Sequence, residues 1–217
     1  MKRILLVGAG GHGQVVADIL LMMSRSDGNV AACGFLDDDP RLWGTSFIGL
    51  PVLGPVSLRS EIPHEGLIVA IGDNRTRCKV AESLVKAGEH LVSAIHPRAV
   101  LGTDVQVGAG SMICAGVIVN VSARVGQGVI LNTGCTVDHH SNIGSFSHLA
   151  PGVHLGGEVT VDRGAFLGVG ACVIPRRRIG AWAVVGGGAT VIRDVPDEGK
   201  FVGVPAKPIK RASAEAQ

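Results

Sequence analysis

The sequence contains no tyrosine, and phenylalanine and tryptophan together make up only 3% of its residues. It also has no strong excess of either charge, since the formal net charge is +2 at pH 7. Proteins that bind nucleic acid usually carry clustered basic residues and aromatic rings on which bases stack. This composition therefore predicts no nucleic-acid partner.

Cysteine is scarce and scattered along the chain. The five cysteines are odd in number and form no C-x-x-C pair. This spacing argues against a disulfide framework and against a zinc site, and it is typical of a protein in the reducing cytoplasm. The cysteines are Cys33, Cys78, Cys114, Cys135 and Cys172.

Long hydrophobic runs are missing as well. The apolar run at the N-terminus stops at Gly8, and the later run over residues 14–23 contains Asp18. A membrane-spanning helix needs about 20 predominantly apolar residues, and a secretory signal needs an uninterrupted apolar core. We therefore expect no membrane contact, no signal peptide and a cytoplasmic location.

Residues 1–96 alternate short apolar runs with helical stretches. Such alternation predicts a small, Rossmann-like α/β domain with a parallel sheet. Proline and glycine interrupt the pattern over 41–63, which predicts a long loop with one short hairpin. The expected strands are 4–7, 30–36, 67–71 and 91–95, and the expected helices are 12–23 and 75–86.

After Pro97 every sixth residue is valine, leucine or isoleucine, and glycine is frequent between them. A period of six suits neither an α-helix nor a simple alternating strand. It suits a triangular solenoid, in which three six-residue sides form one coil and each aliphatic side chain points to the axis. We therefore expect a β-helix of about five coils over 97–195 and an extended segment with a polar tail over 196–217. The aliphatic positions are Leu101, Val107, Ile113, Val119, Val125, Leu131, Val137, Ile143, Leu149, Leu155, Val161, Leu167, Val173, Ile179, Val185 and Val191.

The hexapeptide repeat and several short motifs together resemble the NeuD/PglD-type sugar acetyltransferases. The resemblance implies a left-handed β-helix, a homotrimer with active sites between subunits, and acetyl-CoA as co-substrate. It implies a nucleotide-sugar substrate, a UDP- or GDP-linked 4-amino sugar, with O-acetylation of sialic acid or another sugar as the alternative. The motifs are GAGGHG at 8–13, FLDD at 35–38, AIGDNR at 70–75, ILNT at 130–133, VDH at 137–139 and GVPAK at 203–207.

Residues 8–13 also match the G-x-G-x-x-G fingerprint of NAD-binding domains. A reductase is the alternative that this motif raises, but residues 1–96 offer about half the strands of a full dinucleotide-binding fold. Glycines at a helix N-terminus let the backbone approach a phosphate, and the resemblance assigns that phosphate to the nucleotide-sugar. The expected substrate-binding residues are Gly10, Gly11, His12, Gly13, Asp37, Asp38, Gly72, Asn74 and Arg75.

The resemblance places the catalytic general base at His139, with Asn132 seven residues before it. Many members of the family follow this histidine with an acidic residue that orients the imidazole, but here the next residue is His140. Three residues remain candidates for the orienting role: Asp138, Asn132, or His140 as a neutral acceptor. No cysteine or serine falls at a matching nucleophile position, so direct acetyl transfer is expected.

For acetyl-CoA, glycine-rich coils between residues 156 and 188 would let the pantetheine arm lie along the backbone. The resemblance assigns the lining to His148, Gly157, Val169, Gly187, Pro205 and Lys207. Arg176, Arg177 and Arg178 form a basic cluster that would either meet CoA phosphates or be a solvated edge.

Two other classes of protein share features with this sequence. Three histidines on adjacent coils form the zinc site of the γ-class carbonic anhydrases, which share this solenoid, but that family lacks an N-terminal nucleotide-binding domain. No metal is therefore expected. A non-catalytic trimeric scaffold would bind neither CoA nor a sugar nucleotide.

Overall fold

This computed structural model describes residues 1–209, and the predicted polar tail from Arg211 lies outside them. The N-terminal domain has two α-helices, α1 (Gly11–Asp27) and α2 (Asn74–Lys86). Short 3-10 helices cover Pro40–Leu42 and Val56–Glu61. Its strands are β1 (Lys2–Val7), β2 (Val30–Leu36), β3 (Ser46–Phe47), β4 (Leu50–Gly54) and β5 (Gly66–Val69).

These five strands form one sheet in the order β3-β4-β2-β1-β5. Strand β1 pairs in parallel with β2 and β5, and β4 extends the parallel sheet beyond β2. The predicted hairpin is therefore present as β3 and β4, and it also supplies a sheet strand. Alternation along β1 turns Ile4 and Leu6 toward the core of α1, and Leu5 and Val7 toward that of α2.

The β-helix consists of three parallel sheets whose strands are two residues long and begin every six residues. We call the sheets C, D and E, beginning at Ala94–Ile95, Val100–Leu101 and Gln106–Val107 respectively. The chain thus enters the solenoid slightly before residue 97. Within residues 1–209 the strands are β6 (Ala94–Ile95), β7 (Val100–Leu101), β8 (Gln106–Val107), β9 (Met112–Ile113), β10 (Ile118–Val119), β11 (Arg124–Val125), β12 (Ile130–Leu131), β13 (Thr136–Val137), β14 (Asn142–Ile143), β15 (His148–Leu149), β16 (His154–Leu155), β17 (Thr160–Val161), β18 (Phe166–Leu167), β19 (Cys172–Val173), β20 (Arg178–Ile179), β21 (Val184–Val185), β22 (Thr190–Val191), β23 (Lys200–Val202) and β24 (Lys207–Pro208).

Successive coils stack in strict register. Val119 pairs with Val137, and Val137 pairs with Leu155, so that each coil repeats after 18 residues. The second residue of each strand points to the axis, and from Ile113 onward these aliphatic side chains are buried. The glycine that follows many of them has a packing role: a Cβ on Gly144 would lie 2.6 Å from the nitrogen of Arg163 in the next coil. These glycines allow successive coils to approach closely.

Arg77 fastens the N-terminal domain to sheet C and is fully buried. Its guanidinium donates to the carbonyl oxygens of Gly128 (2.9 Å) and Phe146 (2.8 Å) in the β-helix. It also donates to Ile71 (2.9 Å) and to Asn74 Oδ1 (2.7 Å) in its own domain. Burial lowers the pKa of Arg77 to about 10, because loss of solvent disfavours the charged guanidinium.

The segment after the last coil was predicted to be extended, but it forms a hairpin. Strand β23 pairs antiparallel with β24, so that the segment turns back on itself at 203–206. Strand β23 also pairs in parallel with β21, which adds the hairpin to the end of sheet C. Among residues 1–209, no helix combines the length and apolar character that crossing a bilayer requires.

Candidate active site

The glycine-rich loop joins the end of β1 to the start of α1. Gly10 is the N-cap of α1, and the first turn of the helix contains no acidic residue. A Cβ on Gly10 or on Gly11 would meet no atom within 4 Å, so both positions face open space. Free N–H groups at this positive helix end can bind a phosphate.

Gly13 belongs to the same motif but has a packing role. A Cβ at Gly13 would collide with the carbonyl oxygen of Gly8, which lies at the end of β1. The third glycine of the motif therefore permits the close approach of helix and strand.

Asp37 and Asp38 follow β2 and hold neighbouring loops in place. Asp37 Oδ2 accepts a hydrogen bond from the Ala9 N–H at 2.8 Å, and its Oδ1 accepts one from Asp39 at 2.9 Å. Asp38 Oδ1 accepts from the Val56 N–H at 2.9 Å. Both carboxylates nevertheless line a cavity of about 490 Å³ above the carboxyl ends of the strands. This is where ligands bind in open parallel sheets.

Gly72, Asn74 and Arg75 lie on the loop after β5 and at the start of α2. Asn74 is buried, and its Nδ2 donates to the carbonyl oxygens of Gly164 and Ala165, both at 3.1 Å. Since its Oδ1 accepts from Arg77, each end of the Asn74 amide is engaged inside the protein. Arg75 is exposed; its guanidinium lies 3.7 Å from Glu198 Oε1 and 4.4 Å from the Trp182 ring centroid, beside a cavity of about 350 Å³ that Gly72 also lines.

His12, Asn132 and His148 come together where the glycine-rich loop faces sheet C. The rings of His12 and His148 lie 6.2 Å apart between centroids, and Asn132 Nδ2 lies 3.3 Å from His148 Nε2. Desolvation, and then the positive charge of Arg77, lower the pKa of His12 to about 4 and that of His148 to about 3. Both imidazoles are thus neutral at physiological pH.

His139 and His140 lie at a different place, on the corner between sheets D and E. Both are exposed, and their Nδ1 atoms lie 3.1 Å apart, within hydrogen-bonding distance. Asp138 does not contact the His139 ring: its Oδ1 accepts from the His139 main-chain N–H at 2.8 Å and from Asn120 Nδ2 at 2.7 Å. These two hydrogen bonds, that from Asn120 foremost, lower the pKa of Asp138.

Gly157 lies directly against the His139 imidazole in the next coil. A Cβ on Gly157 would lie 2.5 Å from His139 Nε2 and 2.6 Å from Cε1. The ring therefore occupies the volume that any other side chain would fill. His139 and Gly157 border a cavity of about 520 Å³, which Arg176 and Arg177 also line. Within this corner Arg176 pairs with Glu158 (3.2 Å).

The predicted site residues thus form two groups at different corners of the prism. His139, His140 and Gly157 lie between sheets D and E, whereas Asn132, Val169 and Gly187 lie between sheets C and D. One six-residue side, at most about 20 Å in extended backbone, separates the corners. Pro205 and Lys207 are exposed at the far end of the β-helix, in the terminal hairpin.

Arg77 is the residue of this region that sequence analysis did not identify. Its signal was present, since a lone arginine occupies the face of α2 that also carries Cys78, Ala81 and Leu84. Within residues 1–209, no three histidine, cysteine, aspartate or glutamate side chains are grouped so that they could hold a metal ion.

Known proteins resemble this chain at the level of sequence. The PglD N-terminal domain family matches residues 3–84. GDP-perosamine N-acetyltransferase of Escherichia coli O157:H7 is 30% identical over 214 residues, which cover 95% of this chain and 96% of the relative. UDP-N-acetylbacillosamine N-acetyltransferase of Bacillus subtilis is 38% identical over 117 residues, covering 53% of this chain and 52% of the relative.

Solved structures extend the similarity to the whole fold. PerB from Caulobacter crescentus, crystallised with CoA and GDP-perosamine, is 40% identical, with a TM-score of 0.87 and coverage of 97% of this chain and 98% of PerB. The acetyltransferase domain of PglB from Neisseria gonorrhoeae is 32% identical, with a TM-score of 0.88 and coverage of 96% and 100%. The predicted Rossmann-like domain followed by a left-handed β-helix is thereby confirmed. With relatives matched along nearly its full length, this chain belongs to the NeuD/PglD-type family of sugar acetyltransferases.

Proposed function

We propose that this protein transfers the acetyl group of acetyl-CoA to the amino group of a nucleotide-linked 4-amino sugar. The observation that carries the proposal is the His139 imidazole, which is exposed on a corner, borders an open cavity and has its Nε2 atom beside the bare backbone of Gly157. Support comes from relatives named for N-acetylation of GDP-perosamine and UDP-linked bacillosamine, and from the PerB structure with CoA and GDP-perosamine.

The chemistry needs a base, because a sugar ammonium must lose its protons to attack a thioester. In the proposed reaction the free amine attacks the thioester carbonyl carbon while His139 Nε2 takes a proton from the amine. Collapse of the tetrahedral intermediate then breaks the C–S bond. The departing thiolate of CoA receives the proton from His139, which restores the neutral imidazole.

We propose the glycine-rich loop as the site of the sugar-nucleotide phosphates and the 490 Å³ cavity beside Asp37 and Asp38 as the site of the base and ribose. Gly10 and Gly11 face open space at the start of α1, where an anion is favoured. The neutral imidazoles of His12 and His148 are then available to hydrogen-bond the sugar or the acetyl group. Val169, Gly187, Pro205 and Lys207 remain proposed acetyl-CoA contacts.

We propose that the active unit is a homotrimer. Sheet C is covered by the chain's own N-terminal domain, and sheet E presents polar residues such as Arg124 and Arg178. Sheet D instead exposes the apolar side chains of Val100 (58%) and Ile118 (41%) in its first two coils, which a neighbouring subunit would cover. In a threefold arrangement the His139 corner of one subunit would face the Asn132 corner of the next, which would unite the two halves of the site.

An acetylation assay tests the function. The protein is incubated with acetyl-CoA and each of four acceptors: GDP- and UDP-linked 4-amino sugars and the two corresponding 4-hydroxy sugars. We expect release of CoA thiol with an amino sugar and no release with either hydroxy sugar. Turnover of the hydroxy sugars alone would establish O-acetylation instead. Light scattering in parallel should give three times the chain mass, and a monomer at micromolar concentration would contradict the shared site.

A further inference from the structure

We propose that His140 positions the catalytic base, and that His139 and His140 work as a pair that shares one proton. This inference rests on the proposed role of His139. In the working arrangement the Nδ1–H of His139 donates to the Nδ1 lone pair of His140. His139 Nε2 is then free of a proton and can take one from the substrate.

The geometry of the pair supports a single hydrogen bond. The two Nδ1 atoms are 3.1 Å apart, and the rings meet edge to face at 80° with centroids 5.3 Å apart. Two imidazoles can approach in this way only if one Nδ1 carries a hydrogen and the other does not. If both rings were charged, both Nδ1 atoms would be donors and the contact would be lost. The pair therefore holds together while at most one of its rings is protonated.

The other polar groups around the His139 ring are engaged elsewhere within residues 1–209. Asp138 accepts from two N–H groups, neither of them on an imidazole. Glu158 is paired with Arg176, and Arg177 lies 3.7 Å from Asp194 Oδ1. In the described chain, His139 Nδ1 thus has one hydrogen-bond partner, and that partner is Nδ1 of His140.

A neutral partner changes how the base responds to pH. When His139 takes a proton, its positive charge faces an uncharged imidazole, which orients the ring without adding a compensating negative charge. A carboxylate at position 140 would stabilise the charged ring, so that the free base would become protonated at a higher pH. The histidine partner should therefore keep the base active at lower pH than a carboxylate partner would.

The β-helix itself supplies matched variants for this test. His140 has a left-handed backbone with φ +57°, and the equivalent corner residues one coil away on either side are Ser122 with φ +58° and Glu158 with φ +60°. Serine and glutamate therefore already occupy this conformation in this protein. His140→Ser removes the ring acceptor, and His140→Glu replaces it with a charged one, without a new kind of backbone strain.

The experiment records kcat/KM against pH for the wild type, His140→Glu and His140→Ser. We expect the acid limb of His140→Glu to move to higher pH by about one unit or more, and His140→Ser to lose roughly tenfold or more in kcat because the ring loses its orientation. Three superimposable profiles would overturn the proposal. If residue 140 had no role in orienting His139, its substitution would leave the acid limb of kcat/KM at the same pH.

A second readout does not depend on activity. In protein labelled with ¹⁵N-histidine, the ring nitrogen shifts of ligand-free His139 should report a protonated Nδ1 and an unprotonated Nε2, and this pattern should be lost in His140→Ser. The opposite tautomer, or an unchanged spectrum in the variant, would overturn the proposal. If the tautomer is as expected but no sugar nucleotide is acetylated, the proposed function fails while the pairing stands.

Discussion

The molecule contains two pairs of neighbouring histidines in opposite environments. His12 and His148 are packed between the N-terminal domain and sheet C, with Arg77 close by, and their pKa values are lowered to about 4 and 3. His139 and His140 are exposed on a corner and hydrogen-bonded to each other. The same side chain is therefore used in two ways.

The difference follows from what each environment does to a charged imidazole. Burial and a neighbouring guanidinium disfavour protonation, so the buried pair can orient a ligand but is poorly suited to taking a proton. The exposed pair can hold a proton transiently, which a general base must do. Position in the fold, and not residue type, thus assigns the roles.

The largest expected effect is the loss of activity when one histidine of the exposed pair is replaced. His139→Asn should lower kcat by about 10²–10⁴-fold with little change in KM, since proton transfer is an interaction of the transition state. His140→Asn should cost much less. Steady-state kinetics on both variants decides it, and near-normal kcat in His139→Asn would reject His139 as the base.

Arg77 is the buried charge close to His12 and His148, and its replacement should cause the largest loss of stability. Arg77→Met leaves several carbonyl oxygens at the domain junction without a donor, which should lower the free energy of unfolding by about 3 kcal/mol. Urea unfolding measures this change. Arg75→Met is the matched control; its guanidinium is exposed and stacks on Trp182, which should be worth about 0.5–1 kcal/mol. Equal losses in the two variants would contradict the role of Arg77.

A substitution at Gly157 tests whether the His139 ring requires a neighbouring residue without a side chain. Gly157→Ala places a methyl group 2.5 Å from His139 Nε2 and should displace the imidazole. We expect kcat to fall by about 10²-fold, the cost of misplacing a reacting group by about 1 Å. A thermal melt shows whether the fold survives. Full activity in a folded variant would show that the His139 ring adopts another position during catalysis.

The pH dependence of the free energy of unfolding should also distinguish the two histidine pairs, and it is the smallest of the expected effects. The folded-state pKa values of His12 and His148 lie below the ordinary value of 6.5. As the pH falls, the unfolded chain therefore binds more protons than the folded chain does. Stability from these residues is thus complete above pH 6.5 and is lost as the pH falls below it. Between pH 7 and 5.5 the loss should be on the order of 1 kcal/mol for each residue.

The corresponding variant is His148→Gln, with His154→Gln as its exposed control on sheet D. We expect the slope of unfolding free energy against pH, measured by urea titration, to be shallower in His148→Gln than in the wild type. His154→Gln should leave the slope unchanged. A slope that flattens equally in both variants would place the acid sensitivity outside the buried cluster.

The sequence alone determined the fold, because the period of six in its aliphatic residues is compatible with few structures other than a triangular β-helix. Its local motifs also predicted His139 and the glycine-rich loop as parts of the site. The six-residue period also implies that Asn132 and His139 lie on successive corners. The two residues are seven positions apart, which is one side of the prism plus one residue.

Only the tertiary structure decided which polar residues line a cavity and which hold the protein together. Asn74 follows a strand of the nucleotide-binding domain, yet its amide and Arg77 bond to corners of the β-helix far along the chain. The sequence left three neighbours as candidate partners of the His139 ring, and the folded chain brings Nδ1 of His140 to 3.1 Å from its Nδ1. Local sequence reports backbone propensity and hydrophobic period, whereas the partner of a polar side chain depends on distant segments that meet only in the folded chain.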